Sequence, residues 1–489
     1  MKHTVTHLLA LGAAALALQG CGDERAPTEL AGSAVLAASV MPPEQAGRHF
    51  VVFAAERVPA DFAARVASLG GSVESALDSI GVAAVTGLTE TGAAELASSP
   101  SIRAVEPDAI AAAPEDAAAL DDAFADQAAG EPLAAADVTA SPTSAPFYAR
   151  QWNLRAVFAD QAWAAGHLGS RDVVVAILDS GIDYLHPDLV GLVDLEHSKS
   201  FVPEDVMPAR YAGRLPISDL HGHGTFVASI VASNAQVVAG VNRYVTLLAV
   251  KVNDSTRATS VGRILSGIVY AADQGADVIN LSDGRERDKS GNPGIVAGFE
   301  RAVNYAFRKG ALLVTVPFND AADLDHNGDL VRLPCEAANV ICASATGPTG
   351  AAGVSGPWEN VDARAPYSAF GRSAVSVAAP GGAGAGFPLL FTKVWIPCTS
   401  TWTATSGRPE CRSNSVPLGS RVAQSLGTSF AAPHVAGLAA LLVAQLGHGN
   451  PALIRARILE SADDLGDPGV DPYYGKGRIN IARALGVLP

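Results

Sequence analysis

The chain has 489 residues, of which 48% are hydrophobic and 17% are charged, and its formal net charge at pH 7 is −15. This balance is that of a globular protein, and the length is sufficient for more than one domain. The acidic charge argues against a nucleic-acid partner, which would require a basic face.

The first twenty residues resemble an export signal. Lys2 precedes the apolar run Leu8–Leu18, which is too short to span a bilayer as a mature helix. The following residues, ending at Cys21, are similar to a bacterial lipobox, in which the cysteine is acylated. We therefore expect a lipoprotein-type signal peptide over 1–20, lipidation of Cys21 and a flexible tether over 21–47. The alternative is an ordinary cleaved signal peptide, so the protein is expected in the bacterial cell envelope or in the medium.

A first folded domain is predicted over residues 48–108. The segments HFVVFA, SIGVAAVTGL and IRAVEPD are typical of strands, and ADFAARVASLG and TETGAAELASS have the pattern of helices. This alternation predicts a small α+β domain with its helices on one face of a sheet. Residues 109–146 are rich in Ala, Asp, Glu and Pro and contain no Lys or Arg, so we expect an acidic, flexible linker.

Residues 147–489 alternate strand patterns with helical ones. The apolar runs VVVAILDSG, VTLLAVKV, ADVINLSDG, GALLVTVPFND and AVSVAAPGG are typical of strands covered on both faces. Helices are predicted between them at TSVGRILSGIVYAADQG and AGFERAVNYAFRKG. We therefore predict an α/β domain with a doubly wound, mostly parallel sheet and helices on both faces. In such sheets, sites form beyond the carboxyl ends of the strands.

Three polar residues supply an acid, a base and a nucleophile. Asp179 ends a buried apolar strand, His223 stands between glycines at a helix start, and Ser429 opens the helix in LGTSFAAPHVAG. Each alone has a structural explanation, Ser429 as a helix cap and the other two as buried hydrogen-bonding residues. Together they form the set that activates a serine hydroxyl, in which the acid orients the base and the base takes the serine proton.

The segments ILDSGID, HGHGTFVAS and GTSFAAPHVAG, in the order Asp, His, Ser, resemble the three signature motifs of the subtilisin-like serine proteases, the subtilases. GADVINLSDG, YSAFGRSAVSVAAPGG and YYGKGRINIARAL extend the likeness over nearly all of 147–489. The resemblance implies a monomeric serine endopeptidase that acts on proteins or peptides and needs no cofactor for its chemistry. It also implies that 48–108 is a ferredoxin-like inhibitory propeptide, removed by self-cleavage in the linker.

By the same resemblance, Asn319 supplies a second oxyanion donor beside the Ser429 N–H group. The groove departs from the family pattern, because Phe318 precedes Asn319 where the family has a small residue, and Arg285 replaces a glycine. We therefore expect charge at the groove rim and a narrowed or displaced pocket for the residue before the scissile bond. An alternative is a surface module that uses its triad only for self-processing. The residues predicted to bind substrate are Ser282, Asp283, Gly284, Pro317 and Phe318.

Two places are candidates for structural calcium. The segment DLDHNGD alternates oxygen-bearing side chains with a glycine at its sixth position, as a calcium-binding loop begins, although Pro334 stands where the twelfth ligand is expected. A polar turn is the alternative. Asp188 matches a family calcium position, but the loop SNAQVVAG that would complete that site is short. The predicted ligands of the first site are Asp323, Asp325, Asn327 and Asp329.

Four cysteines remain apart from Cys21: Cys335, Cys342, Cys398 and Cys411. In an exported protein they predict disulfides. Three pairings are possible, and the sequential one, 335–342 with 398–411, closes the two smallest loops.

Overall fold

The computed structural model describes residues 47–112, 126–127, 141–383, 391–401 and 421–489. All of them belong to one compact unit, Pro42–Pro489. The predicted signal peptide, Cys21, most of the linker and Cys411 lie outside the described residues.

The N-terminal domain is a sheet with two helices. Its elements are β1 (His49–Phe53), α1 (Phe62–Ser68), β2 (Ser72–Leu77), β3 (Val82–Thr86), α2 (Glu90–Ala97) and β4 (Ile102–Pro107). The strand order is β2-β3-β1-β4, with antiparallel pairing throughout. This is the predicted α+β arrangement with one strand more than expected. The pattern of β2 is hard to recognise because its side chains alternate between exposed and half-buried, and none is fully buried.

Two short strands follow this domain, β5 (Ala111–Ala112) and β6 (Asp126–Gln127). The large domain then begins with α3 (Trp152–Ala156), α4 (Ala159–Ala164), β7 (Gly169–Asp179), β8 (Lys199–Ser200), α5 (His223–Val231), β9 (Tyr244–Lys251), β10 (Ala258–Thr259), α6 (Val261–Asp273) and β11 (Val278–Asn280). It continues with β12 (Arg285–Asp288), α7 (Pro293–Lys309), β13 (Leu312–Thr315), β14 (Leu330–Leu333), β15 (Val340–Thr346), β16 (Gly350–Ala351), β17 (Trp358–Glu359) and β18 (Val377–Pro380). The last described elements are β19 (Val394–Pro397), β20 (Arg421–Ser425), α8 (Thr428–Leu446), α9 (Pro451–Glu460) and α10 (Ile481–Ala484).

The large domain is built on a seven-stranded sheet of order β18-β15-β13-β11-β7-β9-β8. Every neighbouring pair in it is parallel. The predicted doubly wound α/β fold is confirmed. Strand β15 was not predicted from the sequence. About half of its residues, VICASAT, have small or hydroxyl-bearing side chains, so the segment lacks a strong apolar run.

The two faces of the sheet support two separate cores. Along β7, Val175 and Ile177 pack on the face covered by α5 and α8, whereas Ala176 and Leu178 pack on the face covered by α6 and α7. The N-terminal domain joins the second core. There the Phe50 ring fits over Gly298 of α7, where a Cβ would lie 2.7 Å from the ring.

Among the described residues, α8 is the one helix long and apolar enough to cross a membrane. Of its most apolar 18-residue segment, 83% is buried inside the fold. Its apolar character is therefore explained by its place as the central core helix, where it packs against β7, β15 and α5. This burial fixes the start of α8 beside the carboxyl ends of the strands.

Candidate active site

The predicted acid and base lie side by side. Asp179 is the last residue of β7 and is 1% exposed, and His223 is the first residue of α5. The His223 Nδ1 atom lies 2.8 Å from Asp179 Oδ2 and 2.9 Å from Oδ1. Gly224 permits this approach, because a Cβ there would lie 2.1 Å from the Gly181 carbonyl oxygen. A strand end and a helix start thus meet in one carboxylate–imidazole pair.

The Asp179 carboxyl is ionised at neutral pH. Burial alone would raise its pKa, but the charge and hydrogen bond of His223 and the charge of Arg257 lower the pKa of Asp179 to about 2. The Ser180 N–H group also donates to Asp179 Oδ1 over 2.7 Å. Because an ionised carboxylate only accepts hydrogen bonds, a neutral His223 carries its proton on Nδ1, and its Nε2 atom can accept another.

A second buried carboxylate, Asp219, holds the start of α5. Its Oδ1 atom accepts hydrogen bonds from the Ser180 hydroxyl and from the His221 and Gly222 N–H groups. Its Oδ2 atom accepts from the N–H and hydroxyl groups of Thr225. Burial raises the pKa of Asp219 against the effect of these bonds. Sequence reading missed this residue, although an acidic residue just ahead of a helix start is a capping signal.

Ser429 is the second residue of α8 and is 3% exposed. The helix follows Gly427, whose φ of +145° is one that other residues rarely adopt. The ring of the next residue, Phe430, lies 5.8 Å from the His223 ring between centroids. The starts of α5 and α8 therefore meet, and the positive end of the α8 dipole is directed at the region of Ser429.

Pro433 alters the hydrogen bonding of α8 at Ser429. In a regular helix the N–H group of residue 433 would donate to the Ser429 carbonyl oxygen, but proline has no N–H group. The Ser282 hydroxyl donates to that oxygen over 3.0 Å, and it accepts in turn from Asn280 Nδ2. One of the predicted substrate-binding residues is thereby tied to the backbone of Ser429.

Asn319 lies beyond β13 and is oriented by the start of α8. Its Oδ1 atom accepts from the Thr428 N–H group over 2.8 Å and from the Thr428 hydroxyl over 3.0 Å. This fixes the amide plane and leaves Nδ2 as the donor end, on the side of Gly427, where a Cβ would lie 3.3 Å from it. The structure therefore brings Asn319 to the residues that precede Ser429.

The charges expected at the groove rim are instead buried, which corrects the expectation. Asp283 and Arg285 are 1% and 2% exposed. Asp283 accepts hydrogen bonds from Asn253 Nδ2 over 2.5 Å and from the Gly284 N–H group over 2.6 Å. It also pairs with Arg285 at 3.2 Å. Because the carboxylate and the guanidinium neutralise each other, the pair is accommodated inside the protein.

Phe318 packs against Gly284, another residue predicted to bind substrate. Its φ of +82° is unusual for a residue with a side chain, and its ring is 1% exposed. A Cβ at Gly284 would lie 3.0 Å from the ring, and the Arg332 guanidinium stacks 4.8 Å from its centroid. Pro317, which precedes it, is buried as well. The ring fills space between Gly284 and the Asn319 loop, and the altered specificity inferred from it stays a prediction.

The N-terminal domain is bound to two other helix starts of the large domain. Asp108 accepts hydrogen bonds from the Val261 and Gly262 N–H groups at the start of α6, over 2.7 and 3.1 Å. Glu106 accepts from the second and third residues of α7, over 2.6 and 2.7 Å. Burial raises the pKa of Asp108, although these N–H groups and the charge of Arg48 oppose the shift. The chain then continues as β5, which pairs antiparallel with β10.

The predicted calcium ligands are not brought together. Asp323 contacts His326, Asp325 accepts from the backbone of residues 372 and 373, and Asp329 accepts from the Ser290 N–H group. No group of three or more acidic, His or Cys side chains suited to a metal is present in the described part of the chain. The fourth predicted ligand, Asn327, has its Nδ2 atom buried without a hydrogen-bond partner among the described residues.

Asp188 is satisfied by the backbone of the short loop that follows α5. Its carboxylate accepts hydrogen bonds from the N–H groups of Gln236, Val237 and Val238 over 2.8, 2.9 and 3.2 Å. Those N–H groups are donors, so they stabilise the negative charge in the way a cation would. The shortened loop thus gives Asp188 a structural role of its own.

Cys335 and Cys342 form a disulfide. Cys398 is disulfide-bonded as well, and its partner lies outside the described residues.

Comparisons with known proteins agree with this geometry. The profile of the subtilase family, Peptidase_S8, matches residues 170–477. Thermitase from Thermoactinomyces vulgaris is 33% identical over 353 residues, which are 71% of this chain and 99% of that protein. A thermophilic serine proteinase from Bacillus sp. strain AK1 is 32% identical over 71% of this chain and 69% of its own length.

Solved structures show the same fold. A lanthipeptide protease is similar with a TM-score of 0.56 and 25% identity, over 74% of this chain and 99% of that one. The epidermin leader peptide processing serine protease of Staphylococcus aureus has a TM-score of 0.67 and 20% identity, over 90% of this chain and 98% of that one. With its family profile, its curated relatives and its seven-stranded parallel sheet, the chain belongs to the subtilase family and is a serine-type endopeptidase.

Proposed function

We propose that this protein is an exported, self-processing serine endopeptidase in which Asp179, His223 and Ser429 form the catalytic triad. The observation that carries the proposal is the buried contact between His223 Nδ1 and the Asp179 carboxylate, with Phe430 of the Ser429 helix beside the imidazole. An imidazole held in this tautomer presents Nε2 as a base toward the start of the neighbouring helix.

In the proposed reaction, the Ser429 Oγ atom attacks the carbonyl carbon of the scissile peptide bond, and the hydroxyl proton moves to His223 Nε2. Asp179 stabilises the imidazolium that forms. The oxyanion of the tetrahedral intermediate accepts hydrogen bonds from Asn319 Nδ2 and from the Ser429 N–H group. His223 then protonates the leaving amine, and water hydrolyses the acyl-enzyme by the same path in reverse.

The proposal includes residues 48–108 as an inhibitory propeptide. The support is that Glu106 and Asp108 bind the starts of α7 and α6, and that the chain beyond them pairs with β10 in an extended conformation. An extended segment added to a strand edge is a common mode of peptide binding. We place the self-cleavage in the linker, 109–146, which begins in this extended segment.

Export and lipid anchoring at Cys21 rest on the sequence of the N-terminus, where a basic residue, an apolar run and a lipobox follow one another. The disulfide between Cys335 and Cys342 supports an oxidising compartment.

The test compares the wild-type chain with Ser429→Ala on denaturing gels, following propeptide loss and casein hydrolysis together. We expect the wild type to lose its N-terminal domain and to degrade casein, and the variant to do neither. A variant that still processes itself and degrades casein would contradict the proposed nucleophile.

The same gels address a second candidate, a module that cleaves only itself. The observation that favours it is the departure of Asp283, Arg285 and Phe318 from the family pattern near the groove. A wild-type chain that loses its N-terminal domain but leaves denatured casein intact would support this candidate.

A further inference from the structure

Arg285 links the residues predicted to bind substrate with β10. It is the first residue of β12 and directly follows Ser282, Asp283 and Gly284, which are predicted to bind substrate. Its Nη1 atom donates to the Gly284 carbonyl oxygen over 2.6 Å. Its Nη2 atom donates to the carbonyl oxygen of Thr259 in β10, also over 2.6 Å. One guanidinium therefore bridges Gly284, which is predicted to bind substrate, and a residue of β10.

The same guanidinium reaches the chain that lies along β10. Its Nη2 atom donates to the Ala111 carbonyl oxygen over 3.1 Å. Ala111 belongs to β5, in which Ala111 pairs with Thr259 and Ala112 with Ala258, antiparallel. The contact is made to the backbone, and the Ala111 side chain is exposed. Any residue in an extended peptide with this register would present the same carbonyl oxygen.

A fixed charge pair holds the guanidinium in place. Asp283 Oδ1 lies 3.2 Å from Arg285 Nη1, and Asp283 Oδ2 accepts from Asn253 Nδ2. Arginine remains protonated at every physiological pH, so its planar fork is a permanent donor. Because the fork is oriented before a peptide arrives, little conformational entropy is lost when a further carbonyl oxygen is bound.

We propose that Arg285 is a substrate-binding residue whose guanidinium binds a main-chain carbonyl of an extended peptide lying antiparallel along β10. The ligand class is an extended polypeptide, recognised by its backbone at this position. The proposal rests on the proposed function, since it assigns to substrates the register that Ala111 and Ala112 of the chain's own N-terminal region have. Propeptide and substrate then compete for the same donor.

The competing explanation is structural: Arg285 would serve only to neutralise the buried Asp283 carboxylate. The two explanations differ in their response to Arg285→Lys. A lysine retains the positive charge beside Asp283, but its ammonium lacks the planar fork that serves the carbonyl oxygens of Gly284, Thr259 and Ala111 together. Arg285→Met removes both the charge and the donors at similar length.

The experiment uses internally quenched peptides that share one scissile bond and grow one residue at a time on its N-terminal side. For the wild type, we expect one extension step to raise kcat/KM by about tenfold, as for a hydrogen bond to a charged group. This gain in kcat/KM should be absent in Arg285→Met and strongly reduced in Arg285→Lys. The loss should appear as a higher KM for the longer peptide. The matched control is Arg308→Met, at an exposed arginine in the last turn of α7, which should retain the step.

Two results would overturn the assignment in favour of the structural role. One is that the Arg285 variants gain as much kcat/KM as the wild type when the peptide is extended. The other is that they lose kcat/KM by the same factor at every peptide length. Thermal unfolding of each variant establishes that it is folded. If Arg285→Met does not fold, Arg285→Lys decides the question by itself.

A second readout does not depend on activity. In the Ser429→Ala chain, which retains its N-terminal domain, amide hydrogen exchange over residues 109–112 reports how firmly β5 is held. Adding Arg285→Met should accelerate this exchange by about tenfold, whereas unchanged exchange would overturn the proposal. If the wild type cleaves neither the peptides nor casein, the proposed function fails, and the exchange experiment still tests Arg285.

Discussion

Four helices of the large domain, α5 to α8, have N–H groups at their starts that donate to side chains from two different sources. The start of α5 is held by Asp219 and that of α8 by Asn319, both from the large domain itself. The starts of α6 and α7 are held by Asp108 and Glu106, which belong to the N-terminal domain. The first pair of helices carries His223 and Ser429, and the second pair carries no predicted catalytic residue.

This difference separates the candidate active site from the contacts that the N-terminal domain makes. The helix starts next to the reactive groups have acceptors that remain when the N-terminal domain is removed, so the site needs no rearrangement to stay ordered. Removal of that domain takes the Asp108 carboxylate from the start of α6, which keeps only the Ser260 hydroxyl as a side-chain acceptor, and the Glu106 carboxylate from the start of α7. Helix starts that lose a carboxylate in this way attract anions. Helix starts thus carry the proposed catalytic residues on one face of the sheet and bind the N-terminal domain, the proposed propeptide, on the other.

The largest effect is expected at the start of α8. Asn319→Leu removes the Nδ2 donor proposed for the oxyanion and should lower kcat by about 10²–10³-fold with little change in KM, a magnitude measured on a member of this family. Thr428→Val, which removes one of the two donors to Asn319 Oδ1, should lower kcat far less. Steady-state kinetics on one peptide measures both. An unchanged kcat in Asn319→Leu would show that this side chain does not contact the oxyanion.

The start of α5 should contribute to stability. Asp219→Ala removes the acceptor of five donors and should lower the free energy of unfolding by about 3 kcal/mol. Asp219→Asn should lose less, because one acceptor oxygen remains. Denaturant unfolding in the Ser429→Ala chain avoids self-digestion. A loss below about 1 kcal/mol for Asp219→Ala would mean that α5 begins equally well without this residue.

A smaller effect is expected at the starts of α6 and α7. Glu106→Gln removes a negative charge from the start of α7 and should weaken retention of the cleaved N-terminal domain by about tenfold. The lag before casein hydrolysis, which depends on that retention, should shorten accordingly. Glu95→Gln, at an exposed position on α2, is the matched control and should leave the lag unchanged. Equal lags in both variants would contradict the role of Glu106 in docking.

The sequence predicted the places of three residues in the fold well, because motif, strand end and helix start coincide at Asp179, His223 and Ser429, whose catalytic roles stay a prediction. It failed where a side chain depends on partners far away in the chain. Asp283 and Arg285 were expected at the surface because unpaired charges are rarely buried, yet contacts with Asn253, Thr259 and the N-terminal segment bury them.

The calcium loop predicted at DLDHNGD rests on a local pattern, and the structure does not bring its carboxylates together among the described residues. Its alternating oxygen side chains fit a metal loop, but the Asp325 carboxylate accepts hydrogen bonds from the backbone of residues 372 and 373. Such distant contacts cannot be predicted from the sequence around Asp325. Likewise, β2 and β15 escaped prediction because pairing with neighbouring strands, rather than a long apolar run, defines them.

The most direct test of the account is labelling by a fluorophosphonate, which reacts with an activated serine hydroxyl, followed by mass spectrometry of the modified peptide. We predict a single label on Ser429 in the processed wild type, none in His223→Ala, and slow labelling while the N-terminal domain is still bound. Labelling of Ser429 that is equally fast before and after removal of that domain would contradict the separation of the candidate active site from the contacts that the N-terminal domain makes. A label on another serine would contradict the catalytic assignment itself.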